Sequence, residues 1–228
     1  MVFIALDDTD TLESRGTGYL AREIAAALAA NHTLLGVTRH QLLRDPRVPC
    51  TKNNSSAAIL LEAAEGLVLD ALLARAQALM LADFQPGSDP GLCVAAHVPA
   101  AITAFGRRVQ SEIVTQAEAR TLAAEHGIRL IGLGGDQGGV IGALAALGLA
   151  ASGDDGRYVL VGRSRELAGL QPIPTLLAAG IAAVQTADGQ RVSDGMVQTD
   201  KLRPARRGGQ PIAVVEWTGE YWQPLKLD

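Results

Sequence analysis

The stretch Val2-Phe3-Ile4-Ala5-Leu6, followed by Asp7-Asp8-Thr9-Asp10, decides how this chain is read. A short apolar run cut off by dense charge reads as a strand emerging from a core. Three carboxylates in four positions at its end need a counter-charge. A divalent cation such as Mg²⁺ meets that need, because hard metals take carboxylate and phosphate oxygens and commonly enter as a nucleotide complex. The competing reading is a solvated acidic turn in which one aspartate caps the next helix.

Outward from that strand, Gly18 to Ala30 carries Leu20, Ile24, Ala27 and Leu28 at helical spacing. Thr33 to Leu43 and Ser56 to Leu61 read as strands, Leu67 to Leu81 as a helix and Leu92 to Val98 as a closing strand. The order β-α-β-β-α-β is that of ferredoxin-like folds, so residues 1–98 are expected to form such a domain. The loop from Arg44 to Ser55 is long for a hairpin connection, and long loops inside compact domains tend to be functional. Pro99 opens a second unit, residues 99–228, expected as an α/β domain. Its helix from Gln116 carries the capping pair Thr115 and Glu118. A strand from Ile128 to Leu133 then enters a glycine-rich turn and an Ala/Leu helix, before a β-rich remainder with an Asp188-Gly189 hairpin signal. The fold class is α+β.

Composition narrows the function classes. A formal charge of −4 gives no global attraction to nucleic acid, so such binding would need a local basic patch. Cys50 and Cys93 form no CxxC pair and no zinc-spaced Cys/His set, which argues for a reducing compartment. No apolar run reaches membrane-spanning length, and a cytoplasmic protein without a membrane partner is expected.

Beyond the aspartates, three segments carry candidate binding groups. The turn with Gly135, Asp136, Gly138 and Gly139 precedes a helix, where free N–H groups and the helix dipole favour anions. Tight strand-to-helix packing explains the glycines equally well. Lys52, Asn53, Asn54 and Ser55 concentrate hydrogen-bonding groups on the long loop, and Arg15 leads to Thr17, which also suits a simple N-cap. Lys201, Arg203, Arg206 and Arg207 form the one strong basic cluster, either a solvated loop or a phosphate clamp. The four histidines show no pairing and are expected to be structural or exposed.

The Asp-Asp-Thr-Asp strand end, Arg15-Gly16-Thr17-Gly18-Tyr19-Leu20, Asp45-Pro46-Arg47-Val48-Pro49 and Gly139-Val140-Ile141-Gly142-Ala143-Leu144-Ala145-Ala146-Leu147-Gly148 together resemble the isoleucine-tRNA agmatinylcytidine synthetase family. That family uses ATP to activate the ring carbonyl of an anticodon cytidine, and agmatine displaces the activated oxygen. The resemblance implies that Asp7, Asp8 and Asp10 organise a Mg²⁺-nucleotide, that Thr17 holds the position of the functional threonine, and that the turn from Gly138 to Gly142 contributes to the activation or amine pocket. The loop departs from the family, reading Cys50-Thr51-Lys52-Asn53-Asn54-Ser55-Ser56 without a matched arginine. No zinc-ribbon ligands are present. The expectation is thus a compact relative lacking the OB-fold and zinc ribbon, acting with ATP and Mg²⁺ on a small molecule or nucleotide and possessing no stable hold on whole tRNA. Two alternatives stay open. One is a non-catalytic nucleotide-binding regulatory module. The other is a haloacid-dehalogenase-type phosphatase, with Asp8-Thr9-Asp10 as its nucleophile motif and Asp154-Asp155 as its distal acids.

Overall fold

The computed structural model describes residues 1–227. The first six elements are β1 (Val2–Asp7), α1 (Thr17–Leu28), β2 (Leu34–Gln41), β3 (Ser55–Leu61), α2 (Leu69–Ala82) and β4 (Gly91–Ala95). They follow the β-α-β-β-α-β order expected from the sequence, and their strands lie in the order β4-β1-β3-β2 with every neighbouring pair antiparallel. β1 is central. Its alternate side chains therefore enter two different cores. Val2, Ile4 and Leu6 pack with Leu20, Ile24 and Leu72 of α1 and α2. Phe3 and Ala5 face the other way.

That second face is covered by α3 (Ala100–Val109), α4 (Gln116–Glu125) and α5 (Val140–Ser152), while β5 (Arg129–Gly132) extends the sheet beside β4. Ile102, Phe105, Leu144 and Leu147 join Phe3 and Leu60 in one cluster. The segment after Pro99 thus shares a core with the first sheet instead of starting a core of its own. α5 can lie this deep because it is built from small residues. A Cβ at Gly148 would stand 2.1 Å from the Ile102 carbonyl oxygen, so glycine alone admits the α3 backbone there. Thr115 and Glu118 form the expected reciprocal cap of α4.

β6 (Arg157–Leu160) pairs with β2 on one side and with β11 (Ala205–Arg207) on the other. The sheet runs on through β12 (Gln210–Trp217), β13 (Trp222–Pro224), β10 (Met196–Gln198) and β7 (Leu170–Pro172), and β8 (Ala183–Thr186) with β9 (Arg191–Val192) branches from β12. These strands and α6 (Ile173–Ala178) enclose a further core of Tyr158, Ile173, Leu176, Val184, Val197 and Val215. β7, β10 and β11 escape a sequence reading because three residues carry almost no periodicity. The basic stretch is not simply a solvated loop. Arg206 is buried in β11, donating to the Ala150 and Gly209 carbonyls at 3.1 and 2.9 Å and to the Tyr158 hydroxyl. Among the described residues no helix is long and apolar enough to cross a membrane.

Candidate functional site

At the end of β1 the backbone of Asp8 takes φ 52°, a left-handed conformation that aspartate tolerates better than most residues. Asp7, Asp8 and Asp10 line one cavity of about 270 Å³. Thr17, Asn53, Asn54, Ser55, Asp136, Gly138 and Gly139 line the same cavity.

Each aspartate is held differently. Asp10 stands in for the missing side-chain cap of α1, whose N-cap is Gly16. Its Oδ1 accepts from the Thr17 amide at 3.2 Å and from the Thr17 hydroxyl at 2.9 Å, and Oδ2 accepts from Thr51 at 2.9 Å. The long loop is thereby fastened to the acidic turn. Thr17, buried as the first residue of α1, also receives the Thr9 hydroxyl at 3.2 Å. Asp7 lies against the first turn of α5, where a Cβ on Gly142 would sit 1.7 Å from its Oδ2. Burial and the charges of Asp8 and then Asp10 push the Asp7 carboxyl up to about 8, against the opposing Asp8 backbone N–H. Asp8 rises to about 6 through burial and the charges of Asp89, Asp10 and Asp136.

Asp89, which precedes β4, carries no sequence signal beyond the Ser88-Asp89-Pro90 turn. Its Oδ1 accepts from the Asp136 amide at 2.8 Å, and Asp136 Oδ1 accepts from the Gly138 amide at 2.7 Å. This chain of bonds fixes the glycine-rich turn beside the β1 end. Glu112 and Gln116 also reach the cavity without any sequence signal. Leu42, Val48, Pro49, Ile113 and Ile141 give the cavity its apolar lining. No Lys, Arg or His side chain is among the described residues lining the cavity. The site therefore favours a cationic ligand or an anion carrying its own cation.

Five expected residues do not line it. Arg15 stacks over the Tyr19 ring at 4.3 Å, Lys52 and Lys201 are exposed, Gly135 backs onto Asp89, and Arg203 lies beside β11. Asp154 and Asp155 are also outside the cavity. Asp155 bonds His40 Nδ1 at 2.7 Å and Arg107 at 2.6 Å, and Asp154 accepts from the Gly208 amide at 2.6 Å. The Asp154-Asp155 pair therefore does not serve this site, and β1 sits between antiparallel neighbours. Cys50 lies exposed at the cavity rim, while the buried Cys93 thiol is pushed far up by burial.

The chain matches no protein-family model and no curated protein. Among solved structures it resembles TiaS, an isoleucine-tRNA agmatidine synthetase. The TiaS complex with its isoleucine tRNA and ATP aligns with a TM-score of 0.57 at 22% identity, over 64% of this chain and 36% of that one. The TiaS complex with the same tRNA, AMPCPP and agmatine gives 0.56 at 21% identity, over 64% and 36%. A tRNA fluorescent labeling enzyme gives 0.55 at 22% identity, over 64% and 35%. At this identity the likeness is one of fold, and the chain spans little over a third of the length of TiaS.

Proposed function

We propose that this protein is an ATP-dependent synthetase-like or kinase-like enzyme, which activates a carbonyl or hydroxyl oxygen for attack by an amine. The observation that carries this reading is a single cavity containing Asp7, Asp8, Asp10, Thr17 and the glycine-rich turn at the α5 N-terminus, with no basic side chain among the described residues of its walls. Phosphates entering such a site need a metal ion for charge neutralisation. The donor set fits Mg²⁺, since it is all hard oxygen. Among the described residues no group of three His, Cys, Asp or Glu side chains is arranged to hold a metal ion, so phosphate oxygens and water would have to complete its coordination. Asp7 and Asp8 would hold it, because Asp10 already spends its oxygens on Thr17 and Thr51. Bound there, Mg²⁺ supplies charge neutralisation for phosphoryl transfer.

The chain's own groups divide the remaining tasks. The first turn of α5 lines the cavity at Gly139, Ile141 and Gly142, where its dipole would favour developing negative charge, while the Gly139, Val140 and Ile141 amides themselves bond the Asp89, Gln137 and Gly138 carbonyls. Asp10 orients the Thr17 hydroxyl and can accept its proton at Oδ1. Asp136 is the candidate carboxylate for the incoming ammonium, and an acidic cavity with an apolar lining suits an organic amine such as agmatine. The fold likeness to TiaS, solved with ATP and with AMPCPP plus agmatine, supports this assignment.

The test is calorimetry with ATP in the presence and absence of Mg²⁺, together with assay of ADP, AMP and pyrophosphate. Wild-type protein should bind ATP only with Mg²⁺, and Asp8→Asn should lose that binding while keeping its circular dichroism spectrum. Equal affinity in Asp8→Asn overturns the metal role. Binding without turnover favours the regulatory-module reading.

A further inference from the structure

Where α1 meets β6, three arginines that do not line the acidic cavity come together from distant parts of the chain. Arg22 projects from α1, whose Leu20 and Ile24 share a core with Val159 of β6. Arg165 Nη1 donates to the Val159 carbonyl at 3.2 Å. Arg203 directly precedes Pro204, whose carbonyl accepts the Tyr158 amide at 2.7 Å. Arg165 and Arg203 are thus held around residues 158–159 of β6, and Arg22 lies close enough that Arg165 acts on its charge and it acts on that of Arg203. Arg157, buried on β6 itself and bonded to the Leu227 carbonyl, also acts on the charge of Arg203.

The hydrogen bonds made by these arginines leave most of their capacity unused. A guanidinium carries five N–H donors. Arg22 gives one to the Gly18 carbonyl at 3.0 Å, Arg165 one to Val159, and Arg203 one to the Leu202 carbonyl at 2.7 Å. No ion pair joins any of the three to a carboxylate among the described residues; the nearest acidic influence on Arg22 is Glu23, its neighbour in sequence. Arg22 and Arg203 are half-buried. Partial burial and the charges of Arg165 and the other arginines make both harder to keep protonated. Like charges held together with partial desolvation cost stability unless an anion completes the group. Planar forks converging from several elements suit the tetrahedral oxygens of a phosphoryl group. The Tyr19 ring at the edge of the cluster has the Arg15 and Arg22 guanidinium carbons 4.3 and 5.6 Å from its centroid.

We infer that Arg22, Arg165 and Arg203 form a second, metal-independent site that binds the phosphoryl group of a phosphorylated ligand. The group comes either from a small phosphorylated molecule or from a polynucleotide backbone.

The probes are inorganic pyrophosphate and a short single-stranded oligoribonucleotide, each titrated at low ionic strength in the presence of a chelator. Pyrophosphate should bind and raise the melting temperature. Arg165→Gln and Arg203→Gln should each weaken it by about tenfold or more. Without pyrophosphate both variants should melt no lower than wild type, since each relieves like-charge repulsion. Asp8→Asn, altered only in the acidic cavity, should bind pyrophosphate as wild type does. Oligoribonucleotide binding lost in both arginine variants and competed by pyrophosphate assigns the phosphate to a polynucleotide; pyrophosphate binding alone assigns it to a small molecule. No pyrophosphate binding, or binding undiminished in both arginine variants, overturns the inference.

Discussion

Asp8 illustrates what the acidic turn costs the free protein. Its carboxyl has a folded value of about 6 against an ordinary 3.8, so between those values the native state holds a proton that the unfolded chain has lost. Stability from this group is full below 3.8 and is lost as pH rises to about 6. Removing the charge should therefore help at alkaline pH. After allowance for solvent screening, Asp8→Asn is expected to gain on the order of 1 kcal/mol at pH above the folded value, or about 2–4 °C in Tm. The gain should vanish in acid, and calorimetric melts at the two pH extremes check it. Gly142 makes the complementary point. A methyl there would stand 1.7 Å from Asp7 Oδ2 and 2.9 Å from Asp7 Cβ, so the side chain cannot evade it by rotation of its carboxylate alone. Gly142→Ala should cost about 1–3 kcal/mol in urea melts and weaken Mg²⁺-ATP binding, although it removes no ligand-binding atom.

Between elements, His40 ties β2 to the turn after α5. In its neutral form Nδ1–H donates to Asp155 at 2.7 Å and Nε2 accepts from Thr38 at 2.8 Å, while Arg107 and Gln110 at the end of α3 complete Asp155 at 2.6 and 2.9 Å. Burial outweighs the attraction of Asp155 and holds His40 below its ordinary 6.5. Burial opposes ionisation of Asp155 too, but His40, Gln110 and Arg107 together hold its carboxyl below 3.8. Both shifts are downward, so both contributions are present at high pH. The His40 part is lost as pH falls below 6.5 and the Asp155 part as it falls below 3.8. His40→Gln should abolish the limb of acid destabilisation that begins near 6.5, and Asp155→Ala should cost about 3 kcal/mol at neutral pH. Urea midpoints across that pH range are the measurement.

At the scale of the whole molecule, β6 is the joint. It pairs with β2 in the α1–α5 half and with β11 in the half that contains both tryptophans, Trp217 and Trp222. Tryptophan fluorescence, excited selectively over tyrosine, thus reports the C-terminal half alone, while far-UV circular dichroism is dominated by α1–α5. A strand shared by both halves should transmit unfolding. The two signals are expected to give coincident urea transitions, and a fluorescence change at lower urea would show that the halves unfold separately.

The sequence by itself determined the β-α-β-β-α-β order, the α4 capping box and the acidic strand end. These are local: periodicity, caps and charge density act over a few neighbouring residues. Tertiary structure alone decided which distant groups meet them. Asp89 joins Asp8 because β4 lies beside β1, and the 44–55 loop reaches Asp10 through Thr51. The helices after Pro99 cover the free face of β1 because a central strand buries both its faces, and no local pattern says which later helix will supply the cover. Arg206 turns inward and Arg203 does not, although both belong to one basic run, because only Arg206 meets the Ala150 and Gly209 carbonyls. A side chain's environment is set by partners far along the chain, and their distance in space is fixed only once the sheet closes.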